Sequence, residues 1–111
     1  MINATSLKKN FEFKRIYFRG KAFQSSSLIT YVFYTRYGGI KYGITTSKKI
    51  GNAVQRNRAR RIIKQAFFEL LPDLNDLNVH IIFVARSKTT KMKTKSIKNV
   101  MFSQLTKAGL T

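Results

Sequence analysis

Five cationic side chains fall within nine residues at Arg56, Arg58, Arg60, Arg61 and Lys64, with Asn57 among them and no acid from there until Glu69. Arg56, Arg60 and Lys64 recur at every fourth position, and Asn57 and Arg61 run beside them, so a helix would place them along one edge. A guanidinium can fork two hydrogen bonds onto a phosphate or stack on a base, whereas an ammonium offers a point charge. Asn57 adds a donor and an acceptor among the cations. The other side of the same helix gathers Ala59, Ile63, Ala66, Phe67 and Leu70. Such a helix docks on a core and still displays a dense positive face, for which a polyanion is the natural partner. A merely solvated face would mix Glu with Lys, and that acid is missing.

Two further sets could serve the same chemistry. Ser47, Lys48 and Lys49 fall between a strand and the basic helix, at the lip of a sheet. Phe13, Tyr17 and Tyr31 are aromatic faces on which unpaired bases could stack, at roughly 1–3 kcal/mol per base. Core packing is the competing use of these rings, and spacing alone favours it. If the rings do line a sheet face with the first helix as one wall, the groove suits a single strand better than a duplex.

Bond-breaking devices are hard to assemble. The chain has one His, no Cys and four acidic residues. A Ser-His-Asp triad would need His80 from the middle of a strand, where a partly buried histidine at a strand edge is the plainer expectation. Asp73 and Asp76 flank a turn and read as solvated loop residues. Zinc sites and paired catalytic carboxylates have no candidates. Gly38-Gly39 lacks the helix and Lys of a phosphate-binding loop and reads as a turn. The chain is not expected to cleave a bond, or to hold a metal, by itself.

Those residues need a scaffold. The length of 111 residues suits one domain, 1–111, and 43% apolar residues argue against disorder despite a formal net charge of +18. Between Lys14 and Phe68 there is no carboxylate. RNA or DNA is the leading inference, with an anionic membrane surface as the rival. No apolar run approaches the roughly 18–20 residues of a membrane span, and the N-terminus lacks a secretory pattern. Cytoplasmic residence is the default expectation.

The elements follow from periodicity and punctuation. Asn10 can cap a short helix with Glu12 in its first turn and Gly20 beyond its end. Phe23 to Thr35 reads as strand, interrupted at Ser25-Ser26-Ser27. Gly38-Gly39 then turns the chain into alternating Ile40, Tyr42 and Ile44, predicting a hairpin with the preceding strand. The basic helix runs from about Ala53 to Leu71 and stops at Pro72. Val79 to Ala85 predicts a strand buried on both faces. Ile97, Val100, Met101, Gln104, Leu105 and Ala108 mark one face of a last helix, closed by Gly109. The order is α-β-β-β-α-β-α, an α+β fold with a parallel βαβ unit in a mixed sheet.

The segment Ile50-x-x-Ala53-x-x-Arg56-Asn57-Arg58-Ala59-Arg60-Arg61-x-x-Lys64, preceded by Ser47-Lys48-Lys49-Ile50-Gly51-Asn52, resembles the signature helix of the bacterial ribonuclease P protein component. Leu7-Lys8-Lys9-Asn10 with Phe13, Tyr17 and Gly20, and Ile81 to Arg86, resemble the same family in order along nearly the whole chain. The resemblance implies a four-stranded sheet with a left-handed βαβ crossover, like the second domain of ribosomal protein S5, an exception to the right-handed rule. It implies a subunit of a ribonucleoprotein endonuclease that removes the 5′ leader of precursor tRNA. The catalytic RNA subunit would hold the Mg²⁺ ions, and the protein, monomeric when free of RNA, would bind that RNA and the leader. By position, Arg56, Asn57, Arg60, Arg61 and Lys64 would contact the RNA subunit. Phe13, Tyr17, Tyr31, Ser47, Lys48, Lys49 and Arg86 would line or flank the leader cleft. Arg58 stands at a more variable position of the motif. Tyr17 replaces a common Phe, and His80 stands where the family often has an acid. The alternative is a ribosomal or assembly-type protein that binds structured RNA without any part in cleavage.

Overall fold

The computed structural model describes residues 3–76 and 78–111. Its main elements are β1 (Ala4–Ser6), α1 (Asn10–Arg19), β2 (Lys21–Gln24), β3 (Leu28–Tyr34), β4 (Ile40–Thr45), α2 (Ala53–Leu70), β5 (Val79–Ala85) and α3 (Thr94–Lys107). The strands form one sheet in the order β1-β4-β5-β3-β2. β5 is parallel to β4 and antiparallel to β3. β4 and β5, joined through α2, are the expected parallel unit.

The expected hairpin between β3 and β4 does not form. Gly38 and Gly39 do turn the chain, with φ of 99° and 80°. However, β5 lies between β3 and β4 and pairs with both. Its apolar run, interrupted only by His80, fits a position covered on both faces. Val79, Ile81, Phe83 and Ala85 join the main core under α2 and α3, and Ile82 and Val84 face α1. The true hairpin is β2–β3, where Ser25 Oγ accepts the Leu28 N–H at 3.1 Å. The sheet also has five strands rather than four. Three exposed or half-exposed residues form β1, parallel to β4, too short a stretch to show a period-2 pattern.

Asn10 is not the cap of α1. Lys9 occupies that position, and the Glu12 carboxylate accepts the Lys9 N–H at 3.2 Å and the Lys8 N–H at 3.4 Å. Burial alone would raise the Glu12 carboxyl, but these N–H groups and Lys41 hold it below the ordinary carboxylate range. α1 crosses the sheet on the side opposite α2 and α3. Ile16 is its fully buried anchor, packed in one cluster with Leu7 and Ile82. Phe11 and Phe18 project into solvent.

α2 buries the face read from its spacing, with Ile62 added. Asn52 caps it. Its Oδ1 accepts the Gln55 N–H at 2.9 Å, and Gln55 Oε1 accepts the Asn52 N–H at 3.0 Å, a reciprocal capping box. Gly51 precedes it at φ 146°, and a Cβ there would collide with the Gln55 side chain.

On α3, the one polar residue of the apolar face is a clamp. Buried Gln104 donates to the carbonyls of Phe23 and Leu28 at 3.1 and 2.9 Å and accepts the Thr30 hydroxyl at 2.5 Å. Gln104→Ala would leave the buried Thr30 hydroxyl without its partner and take one bond from each carbonyl, that of Leu28 keeping its bonds from Ser25. A loss of about 2 kcal/mol is expected, because an orphaned buried group costs roughly 1–3 kcal/mol. Urea unfolding midpoints measure it, and an unshifted midpoint would contradict the clamp.

Candidate nucleic-acid interface

The cationic ridge of α2 stands as its spacing predicts. Asn57, Arg60, Arg61 and Lys64 are exposed, and with Gln65 and Phe68 they line a hollow of about 370 Å³. Lys64 Nζ sits 5.7 Å from the Phe68 ring centroid. The described residues hold two ion pairs, Lys41–Glu12 at 3.7 Å and Lys98–Glu69 at 3.2 Å, and neither involves the ridge. The ridge thus keeps its charge for an external anion.

Its members are not equivalent. Arg60 donates to the Ile44 carbonyl and to Thr46 Oγ1, both at 2.9 Å. It covers the side of β4 that β1 leaves bare beyond Tyr42. Arg58 donates to the Thr90 carbonyl at 3.2 Å and so ties α2 to the 3-10 turn Ser87–Lys91. Arg56 is half-buried, and its Nε is enclosed without a partner among the described residues. Arg61 and Asn57 make no side-chain hydrogen bond or ion pair to other described residues, so they are the freest members.

On the opposite sheet face, Tyr17 meets Tyr31 edge-on, with ring centroids 4.9 Å apart at 87°. The Tyr17 hydroxyl is 2.7 Å from Thr45 Oγ1. Tyr17 keeps 37% of its surface exposed. The two rings, with half-buried Ile29 and Val84, form one wall and the floor of an open groove. Phe13 sits one helical turn away over Gly43, where an added Cβ would overlap its ring. It lines a cavity of about 200 Å³ with Ile44, Arg60 and Lys64. Phe13 therefore bridges groove and ridge around the free side of β4.

The lip residues collect at one end of the sheet. Thr45 and Val84 are register partners on β4 and β5, so the segments that leave them start side by side. Ser47, Lys48, Lys49 and Arg86 are all exposed there. The positive end of the α2 dipole adds to this field. Sequence reasoning missed Thr45 as the partner of Tyr17, the anchoring of Arg60 and the tie made by Arg58. Each depends on long-range contacts that carry no local pattern.

His80 is not at a strand edge. It lies in the central strand, 5% exposed, and its Nδ1 lacks a partner among the described residues. Burial first, then the charges of Lys41 and Arg15, push its imidazole below the ordinary 6.5, against a smaller opposing pull from Glu12. In the unfolded chain His80 takes its proton near pH 6.5, and in the folded chain only at lower pH. Stability is therefore full above about 6.5 and declines as the pH falls through the interval beneath it. Between pH 7.5 and 5, His80→Gln is expected to lose less stability than the parent. Urea midpoints across that range measure this, and parallel curves would clear His80 of the effect.

Fold and surface together define a small α+β domain that presents unneutralised cations from one helical ridge beside an aromatic groove. The profile of the family described as Ribonuclease P matches residues 1–109. The ribonuclease P protein component of Clostridium botulinum strain 657 is 33% identical over 104 residues, covering 94% of each chain. The solved ribonuclease P protein of Staphylococcus aureus superposes with a TM-score of 0.83 at 32% identity, covering 97% of this chain and 98% of that one. That of Thermotoga maritima shares the fold at 18% identity, with a TM-score of 0.77 over 88% of this chain and 92% of that one. This chain belongs to the ribonuclease P protein family.

Proposed function

We propose that this protein is the RNA-binding subunit of a ribonuclease P holoenzyme and acts in the cytoplasm on precursor tRNA. The α2 ridge binds the catalytic RNA subunit through Arg56, Asn57, Arg60, Arg61 and Lys64. The groove of Tyr17 and Tyr31, with Phe13 at its β4 side and Ser47, Lys48, Lys49 and Arg86 at its lip, holds the 5′ leader. The RNA subunit supplies Mg²⁺ for phosphodiester hydrolysis. The protein is a monomer when free of RNA. Its residues neutralise phosphates and position the leader, and they donate no proton to the reaction. Because mature tRNA lacks the leader, gripping it favours substrate over product by binding alone.

The observation that carries this reading is the pairing of an acid-free ridge with an exposed aromatic groove, joined by the Phe13–Arg60 cavity. Reconstitution with the cognate catalytic RNA at low Mg²⁺ tests it. Stimulated leader removal is expected, and no stimulation would leave a structured-RNA binder without a part in cleavage.

A further inference from the structure

α1 divides its sheet face in two, and the half away from the Tyr17–Tyr31 groove is also built to bind. A recess of about 350 Å³ is lined there by Arg15, Phe33, Arg36, Tyr37, Lys41 and His80, among others. Three of these six are cations. Glu12 is the acid in the lining, and it is already engaged by two backbone N–H groups and Lys41. Arg15 holds its guanidinium 5.3 Å from the Phe33 centroid, an arrangement that keeps its outward donors available. Tyr37 stands in the β3–β4 turn with 83% of its surface in solvent. Two enclosed polar atoms on the lining, His80 Nδ1 and Thr35 Oγ1, have no partner among the described residues. Buried polar atoms are paired as a rule, so two orphans beside one recess point to a ligand that supplies the missing bonds.

We infer that this recess binds a nucleotide unit, its phosphate held by Arg15 and Arg36, its base against Tyr37 and Phe33, and its polar edge turned to Thr35 and His80. Aromatic faces beside guanidinium groups are the chemistry that takes an unpaired base and its phosphate. A second hollow, lined by Arg19, Lys21 and Phe33, adjoins it along β3. The basic rim thus runs on beyond the length of one nucleotide, as a chain of RNA would use it. The site is separate from the Tyr17–Tyr31 groove, and its occupancy does not depend on the leader being bound there.

The test is a two-dimensional NMR titration of the full chain with three probes: adenosine monophosphate, a five-residue oligoadenylate and inorganic phosphate. Saturable shifts at Thr35, Tyr37 and His80 are expected with the oligoadenylate. Saturation by the monophosphate at equal concentration would name a free nucleotide as the source of the same chemistry, and weaker saturation would name an RNA chain. Arg36→Ala with Tyr37→Ala, both in an exposed turn, is expected to weaken these shifts about tenfold or more. Tyr31→Ala is expected to leave them unchanged, so failure here and failure of the leader groove remain distinguishable. Shifts reproduced by phosphate alone, no shifts at these residues, or indifference to the double substitution would each overturn the inference.

Discussion

Arg61→Ala is expected to weaken binding to the RNA subunit and to flatten its salt dependence, with no loss of fold stability. Each phosphate contact removed should lower the log–log slope by roughly 0.7–0.9. Arg61 is the cleaner probe because it has no bond to the rest of the described chain. Arg60→Ala should flatten the slope similarly, but it also removes the two bonds to Ile44 and Thr46. Those bonds lie at the surface, so their loss should cost about 1 kcal/mol of stability. Titrations from 50 to 300 mM KCl, paired with thermal melts, separate the effects. Unchanged slopes for both variants would strike these arginines from the contact surface.

The second large effect concerns substrate over product. Tyr31→Ala should cut the preference for leader-bearing tRNA by roughly 5- to 150-fold if one base stacks there, the range that corresponds to about 1–3 kcal/mol. Affinity for mature tRNA should hardly change. Tyr17→Phe is the internal control. It keeps the ring against Tyr31 and gives up only the bond to Thr45, so its preference should stay close to that of the parent. Competition binding of precursor and mature tRNA to the reconstituted holoenzyme measures both. Equal losses for precursor and mature tRNA would remove the groove from leader recognition.

What could be read from the sequence follows from which forces are local. The α2 faces were legible because burial of Ala59, Ile63, Ala66, Phe67 and Leu70 repeats with the helical period. The both-faces burial of β5 was legible from its composition. The partner of β4 was not. Alternation in Ile40, Tyr42 and Ile44 states which face is buried but not which strand lies alongside, and the Gly-Gly turn suggested the wrong neighbour. His80 was misplaced for the same reason, since the strand order decides whether position 80 is an edge or a centre. The cap of α1 slipped by one residue because Glu12 satisfies the backbone there, leaving Asn10 without that task. At the site, ring types and charges were visible, and the contacts of Tyr17 with Thr45 and of Arg60 with Ile44 span 28 and 16 residues.

Arg60 has one more consequence. Past the Leu7–Tyr42 bond, β4 has no strand on its outer side among the described residues, the kind of flank along which two molecules can zip into a continuous sheet. The guanidinium laid across the Ile44 carbonyl occupies that flank and brings a positive charge that repels a second copy of the same chain. Under the proposed function, a protein awaiting its RNA would be shielded from self-association by the same side chain that is expected to meet phosphate.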